Sequence, residues 1–91
     1  MIIIETETNG IVMNPKVIYI EKDLEGYWHL YADMSDTDRI KPEPLTVKEY
    51  SQEQLNVWLQ QIYKGMWQQG RIRGDSIFIS IRDVMKGRYF V

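Results

Sequence analysis

Residues 51–70 read SQEQLNVWLQQIYKGMWQQG and predict a single amphipathic helix over about 52–69. Ser51 is a typical N-cap residue, and Gln54 follows it at the spacing of a capping box. Apolar side chains recur at the spacing of one helical face: Leu55, Trp58, Leu59, Ile62, Tyr63 and Met66. Gly70 is the expected C-terminal stop. A helix with one apolar side must pack that side on another layer, and the flanking sequence predicts strands.

Two hairpins are predicted ahead of the helix. The first joins a β-branched segment, 2–8, to a return strand that starts at 11–13, because Asn9-Gly10 is a strong turn signal. The second covers 16–33, where side chains alternate on both sides of a turn at 23–26. A further, optional strand falls at 45–48.

One strand is predicted directly after the helix. Residues 76–82 alternate between isoleucine and other side chains, a turn follows at 83–87, and an optional last strand covers 88–91. The order is therefore ββ(β)-α-β(β), in a single α+β domain over 1–91. We expect a mostly antiparallel sheet of four to five strands, with the helix packed on one face.

The composition excludes several classes of protein. The chain has no cysteine, which rules out disulfide frameworks, thiol nucleophiles and cysteine-based zinc sites. Its start lacks the basic segment of a signal peptide, and no apolar run approaches the roughly 18–20 residues of a membrane span. We therefore expect a soluble, cytoplasmic protein.

Charge is distributed unevenly along the chain. Residues 1–50 hold ten acidic and five basic side chains, whereas residues 51–91 hold three acidic and six basic ones. This polarity could orient a partner electrostatically, although solvated charges also fall this way by chance.

The sheet face that the helix leaves open is the most informative feature of the sequence. The helix would cover the more aliphatic face, which carries Ile18, Ile20, Leu30, Ile77, Ile79 and Ile81 together with Trp28. An open face in a monomer is normally polar, yet this one is strongly aromatic. We predict a binding face formed by Tyr19, Tyr27, His29, Tyr31, Phe78 and Arg82.

Three interpretations of that face compete. In the first, it binds another protein or a second copy of the chain, since Tyr, Phe and Arg are enriched at interface cores. In the second, the rings stack the bases of single-stranded nucleic acid, and Arg71, Arg73, Arg82 and Arg88 meet the phosphates. In the third, the 34–49 segment folds over the face and the rings form a second small core.

No motif indicates catalysis, a cofactor or a metal. His29 is the sole histidine and has no adjacent nucleophile in the sequence, and the acidic cluster at 33–38 lacks the spacing of an EF-hand loop. We therefore predict a non-enzymatic interaction module with no cofactor, which binds a protein partner or itself. A less favoured alternative is an acidic mimic that inhibits a nucleic-acid-binding protein.

Overall fold

The computed structural model describes residues 1–34, 42–73 and 76–87. Their elements, in chain order, are β1 (Ile2–Glu5), β2 (Ile11–Met13), β3 (Val17–Lys22), β4 (Trp28–Asp33), β5 (Glu43–Pro44), α1 (Gln52–Arg73), β6 (Ile77–Ser80) and α2 (Ile81–Met85). The predicted class, α+β with one main helix, is confirmed. The predicted last strand at 88–91 lies outside the described residues.

The strands form two three-stranded sheets, where we predicted one sheet. The first has the order β2-β1-β6 and the second the order β3-β4-β5. Both predicted hairpins are present as antiparallel pairs, but β6 pairs in parallel with β1, at the far end of the chain. Parallel pairing needs a long crossover connection, and here the whole of the second sheet and α1 lie between the two strands.

Helix α1 begins where the sequence predicts and ends later. The Ser51 hydroxyl accepts the N–H of Gln54 at 3.1 Å, which is the expected N-cap bond. Gly70 does not stop the helix, which continues to Arg73. A Cβ atom at Gly70 would meet the Ile77 side chain at 3.7 Å, so the glycine lies close to β6 within the helix. One hydrophobic core lies between the helix and both sheets, and includes Ile4, Val12, Ile18, Leu30, Ala32, Leu45, Leu55, Trp58, Ile62 and Ile79.

Leu45 links the two sheets through its backbone. Its N–H donates to the carbonyl oxygen of Leu30 in β4 at 2.7 Å, and its own carbonyl oxygen accepts the N–H of Glu7 at 2.9 Å. The Thr46 hydroxyl accepts the N–H of Leu30 at 3.1 Å, so a side chain replaces the next ladder bond. This segment therefore connects β4 to the turn between β1 and β2, and it is fully buried at Leu45.

The Glu7 carboxylate holds the segment that follows. Oε1 accepts the N–H groups of Val47 and Lys48 at 2.7 and 3.2 Å, and Oε2 accepts the hydroxyl of Tyr50. The ring of Tyr50 packs edge-on against Trp58, with 4.9 Å between centroids. This network fixes the path of the chain from the second sheet into α1.

Side chains of α1 cover backbone groups at two strand edges. The Tyr63 hydroxyl accepts the N–H of Ile18 in β3 and donates to the carbonyl oxygen of the same residue. The side-chain amide of Gln69 accepts the N–H of Phe78 in β6 through Oε1 and donates to the carbonyl oxygen of Phe78 through Nε2, both at 2.8 Å. Unpaired edges attract other strands, so these four hydrogen bonds, two at each edge, close part of each edge against pairing with another chain.

The predicted strand over 76–82 ends at Ser80, and the helix α2 begins at once. Ile81 and Val84 are both buried, at the i, i+3 spacing of a helical face. Burial of this pair against the core favours the helix over a longer strand. As a result Arg82 leaves the sheet and does not continue its alternation.

Candidate functional site

The outer face of the second sheet brings two of the predicted tyrosines, Tyr19 and Tyr31, together. Strands β3 and β4 pair in a register that places Tyr19 opposite Tyr31 and Glu21 opposite His29. Ile18, Leu30 and Ala32 alternate with these residues and are buried in the core, as predicted. We call the surface formed by Tyr19, Glu21, Asp23, His29 and Tyr31 the tyrosine face.

The two tyrosines form a stacked cross-strand pair. Their ring centroids lie 5.8 Å apart, and the ring planes differ by 26°. Both side chains are half-buried. Paired rings on adjacent strands restrict each other's rotamers, so the pair presents a firm aromatic surface to solvent.

Asp23 anchors His29 and shapes the turn that leads into β4. Its Oδ1 accepts the N–H groups of Glu25 and Tyr27, both at 2.9 Å. Its Oδ2 accepts a hydrogen bond from Nε2 of His29 at 2.8 Å. His29 is 7% exposed, and its ring meets that of Tyr31 edge-on, with 6.1 Å between centroids. The histidine thus supports the tyrosine pair from beneath the surface.

The electrostatic environment of the tyrosine face is acidic. Burial raises the pKa of Tyr19, and the carboxylates of Glu21 and Asp33 raise it further. Burial likewise raises the pKa of Tyr31, with added contributions from Asp23 and Glu21. The nearby carboxylates therefore disfavour ionisation of either tyrosine hydroxyl.

A groove runs beside the two rings. Its volume is about 410 Å³, and it is lined by Tyr19, Glu21, Lys22, Asp23, Leu24, Tyr31 and Pro42. Leu24, in the turn at its rim, is fully exposed. An exposed leucine next to paired aromatic rings gives the rim an apolar contact point.

Four of the six predicted site residues do not line this groove, and one of them, His29, is buried beside Tyr31. Tyr27 precedes β4 in the turn and is exposed. Phe78 lies on the first sheet, and Arg82 lies on α2, where Nη2 is 3.5 Å from Oε1 of Glu5. The prediction of one continuous face was wrong for Phe78 and Arg82, because the strands form two sheets and β6 ends before Arg82.

The third interpretation, a 34–49 segment that covers the rings, stays a prediction, because the structure describes only part of that segment. Residues 43 and 44 pair with Ala32 and Tyr31 as an edge strand beside β4, and Pro42 lines the groove. The segment 35–41 lies outside the described residues.

The outer face of the first sheet carries a second apolar surface that the sequence reasoning missed. Register places Met13, Ile3 and Phe78 in one row across the three strands, with Ile11 on the same side. Ile11, Met13 and Phe78 are 57%, 44% and 49% exposed. We call these four residues the apolar strip. Side chains alternate along a strand, so Ile11 and Met13 project to the side opposite the buried Val12, and this alternation would have indicated the second surface.

The described part of the chain can be compared with the requirements of metal binding and of nucleophilic catalysis. It holds no group of three or more side chains placed to bind a metal ion. Nδ1 of His29 is buried and has no hydrogen-bond partner there, so the Asp23–His29 pair is not joined to a nucleophile through that nitrogen. Across residues 1–34, 42–73 and 76–87, no helix has the length and hydrophobicity needed to cross a membrane.

Comparison with known proteins adds no assignment. No family model matches the chain, and neither a curated protein nor a solved structure matches it.

Proposed function

We propose that the chain is a non-enzymatic module that binds a partner protein through the tyrosine face. The observation that carries this proposal is the stacked pair of Tyr19 and Tyr31 beside an open groove, with Leu24 exposed at its rim. Aromatic rings with an apolar body and a polar tip are the residue type most enriched at protein interfaces.

The support beneath the rings favours binding. Tyr19 is held by its partner Tyr31, and Tyr31 is held in turn by the buried ring of His29. Asp23 fixes that histidine and the adjoining turn through three hydrogen bonds. Surfaces ordered before contact lose less conformational entropy on association, which leaves more of the contact energy as affinity.

The charges of the tyrosine face argue against the nucleic-acid alternative. Phosphate neutralisation by basic side chains supplies most non-specific nucleic-acid affinity. Arg82, which was expected to supply a cation, is on α2 and lies beside Glu5. The side chain of Arg73 and all of Arg88 lie outside the described residues. The charged residues that line the groove are two carboxylates, Glu21 and Asp23, and one cation, Lys22.

Affinity capture from the native host tests the proposal. Immobilised wild-type chain is compared with Tyr31→Thr, which keeps a strand-forming side chain but removes the ring. The matched control is Trp67→Ala, which removes a 63% exposed ring from α1, away from the face. We expect one protein to be retained by the wild type and by Trp67→Ala, and lost by Tyr31→Thr. Equal capture by all three, with Tyr31→Thr folded by circular dichroism, would show that the face is not the binding surface.

Self-association through the apolar strip is a second candidate function. The four residues of the strip are uncharged, and Glu5, which lies opposite Ile11 on the same side of the sheet, pairs with Arg82. An uncharged apolar surface is complementary to a second copy of itself, and two such copies can close a two-fold interface.

Light scattering after size-exclusion chromatography tests this second candidate. A dimer whose population rises with concentration would support it, provided that Phe78→Glu dissociates the dimer. Val57→Glu, on the exposed side of α1, is the control and should leave the dimer intact. A monomer at all concentrations would contradict it.

A further inference from the structure

Carboxylates flank the stacked rings of the tyrosine face on one side. Glu21 follows Tyr19 by two positions in β3, so both side chains project from the same side of the strand. Asp23 also lines the groove. The intervening cation, Lys22, places its ammonium group 5.2 Å from the centroid of the Trp28 ring. Lys22 also lines the groove, so two carboxylates and one ammonium group give its lining a formal charge of −1.

Flat rings next to a carboxylate suit a planar cation. A guanidinium group stacks on aromatic faces and donates two parallel hydrogen bonds to a carboxylate. An ammonium group attracts the same carboxylate but offers neither the planar stacking surface nor the fixed fork of donors. The spacing of Glu21 from Tyr19 puts both partners within reach of one side chain.

We infer that the groove beside Tyr19, Tyr31 and Glu21 binds the guanidinium group of an arginine presented by the partner protein. This inference rests on the proposed function, because it names the chemistry by which that partner is recognised. Arginine stacks on the paired rings and bonds to Glu21, while Leu24 contacts the apolar part of the arriving segment.

Nuclear magnetic resonance titration of the purified chain tests the inference without the natural partner. The probes are N-acetyl-arginine amide, the uncharged analogue N-acetyl-citrulline amide, and N-acetyl-lysine amide. The readout is the ring resonances of Tyr19 and Tyr31 and the backbone amide of Glu21. We expect saturable shifts with the arginine probe, and affinity about tenfold weaker for citrulline, because loss of the charge removes both the cation–π and the charge-assisted contacts.

Two variants locate the site. Glu21→Gln should weaken the arginine probe about fivefold and remove its preference over citrulline, since it removes the charged acceptor. Glu53→Gln, an acidic residue in the first turn of α1, serves as the matched control and should leave the affinity unchanged. Equal affinity for arginine and citrulline, or shifts away from the tyrosine face, would overturn the inference.

Failure of this inference is distinguishable from failure of the proposed function. If capture of a partner depends on Tyr31 while the arginine probe moves no resonance of the face, the binding surface stands and the guanidinium assignment is wrong. If the arginine probe binds but capture of the partner does not change with Tyr31→Thr, the groove binds guanidinium and the proposed function is wrong. The guanidinium group then does not come from a partner protein, so the inference is overturned as well.

Discussion

The hydroxyl of Tyr63 lies 3.0 Å from the backbone nitrogen of Ile18 and 2.9 Å from the carbonyl oxygen of the same residue. One side-chain atom of α1 thus takes the place that a neighbouring strand would fill at the edge of β3. The contact joins residues 45 positions apart. It fastens the helix to the same strand that carries Tyr19 and Glu21 on its other side.

Removal of that hydroxyl should loosen the edge of β3. We expect Tyr63→Phe to lower the free energy of unfolding by about 1–2 kcal/mol, because two backbone groups lose their partner while the ring stays in place. Urea unfolding measures the change. Tyr27→Phe, which removes a hydroxyl from an exposed ring in the turn, is the matched control. Equal effects of both variants would contradict a specific role for the Tyr63 contact.

The Glu7–Tyr50 bond predicts a loss of stability in alkaline solution. Burial, followed by the hydrogen bond to the Glu7 carboxylate, raises the pKa of Tyr50 to about 12. A raised folded-state pKa means that the neutral hydroxyl stabilises the fold fully below the unfolded pKa of about 10, and that this contribution is lost between about 10 and 12. Tyr50→Phe should be less stable than the wild type at pH 7 and should lose less stability over that window. Urea unfolding of both proteins across this pH window measures the difference. An equal loss of stability in the wild type and in Tyr50→Phe would contradict a stabilising Glu7–Tyr50 bond.

Asp23 predicts the opposite dependence at acid pH. The hydrogen bond from the N–H of Tyr27 is the main cause that holds the pKa of Asp23 below its ordinary value. Desolvation opposes it, and the hydrogen bonds from His29 and from the N–H of Glu25 lower the pKa further. Its contribution is therefore present above the unfolded pKa and is lost as pH falls through the lowered value. Asp23→Ala should destabilise the chain at pH 7, and the difference from wild type should shrink towards pH 2. The control is Glu25→Ala in the same turn; if it matches Asp23→Ala at both pH values, the hydrogen bonds of Asp23 do not stabilise the turn.

The shared core predicts a large cost for truncation in β6. Ile79 is fully buried beneath α1, and Ile79→Ala should lower the free energy of unfolding by about 2–5 kcal/mol. Val57→Ala, on the exposed side of the helix, should change it by less than about 0.5 kcal/mol. Denaturant unfolding of the two variants measures both. A small effect at Ile79 would mean that the two sheets do not share one core.

Local signals explain the elements that the sequence predicts well. Ser51 and the apolar spacing from Leu55 onward define the start and the packed side of α1, because a cap and a helical period act over a few residues. The alternation in β3 and β4 likewise predicts that Tyr19 and Tyr31 share a face. The register that stacks them follows from the turn at 23–26.

Long-range pairing explains what the sequence does not predict. The parallel contact of β1 with β6 depends on packing across the whole chain, so the division into two sheets has no local signal. The placement of Arg82 follows from the burial of Ile81 and Val84, whose helical spacing competes with the alternation of β6. Glu21 lies two positions after Tyr19 in β3, so the alternation of the strand alone places its carboxylate on the same face as the ring.

Site-specific photo-crosslinking in the native host tests the binding role of the tyrosine face most directly. A benzophenone amino acid replaces Leu24 at the rim of the groove, or Val57 on the exposed side of α1 as the matched position. We predict a covalent adduct with one partner protein from position 24, absent from position 57 and lost when Tyr31→Thr is added. An adduct from position 57 alone, or one from position 24 that survives Tyr31→Thr, would contradict the proposal that the tyrosine face binds the partner.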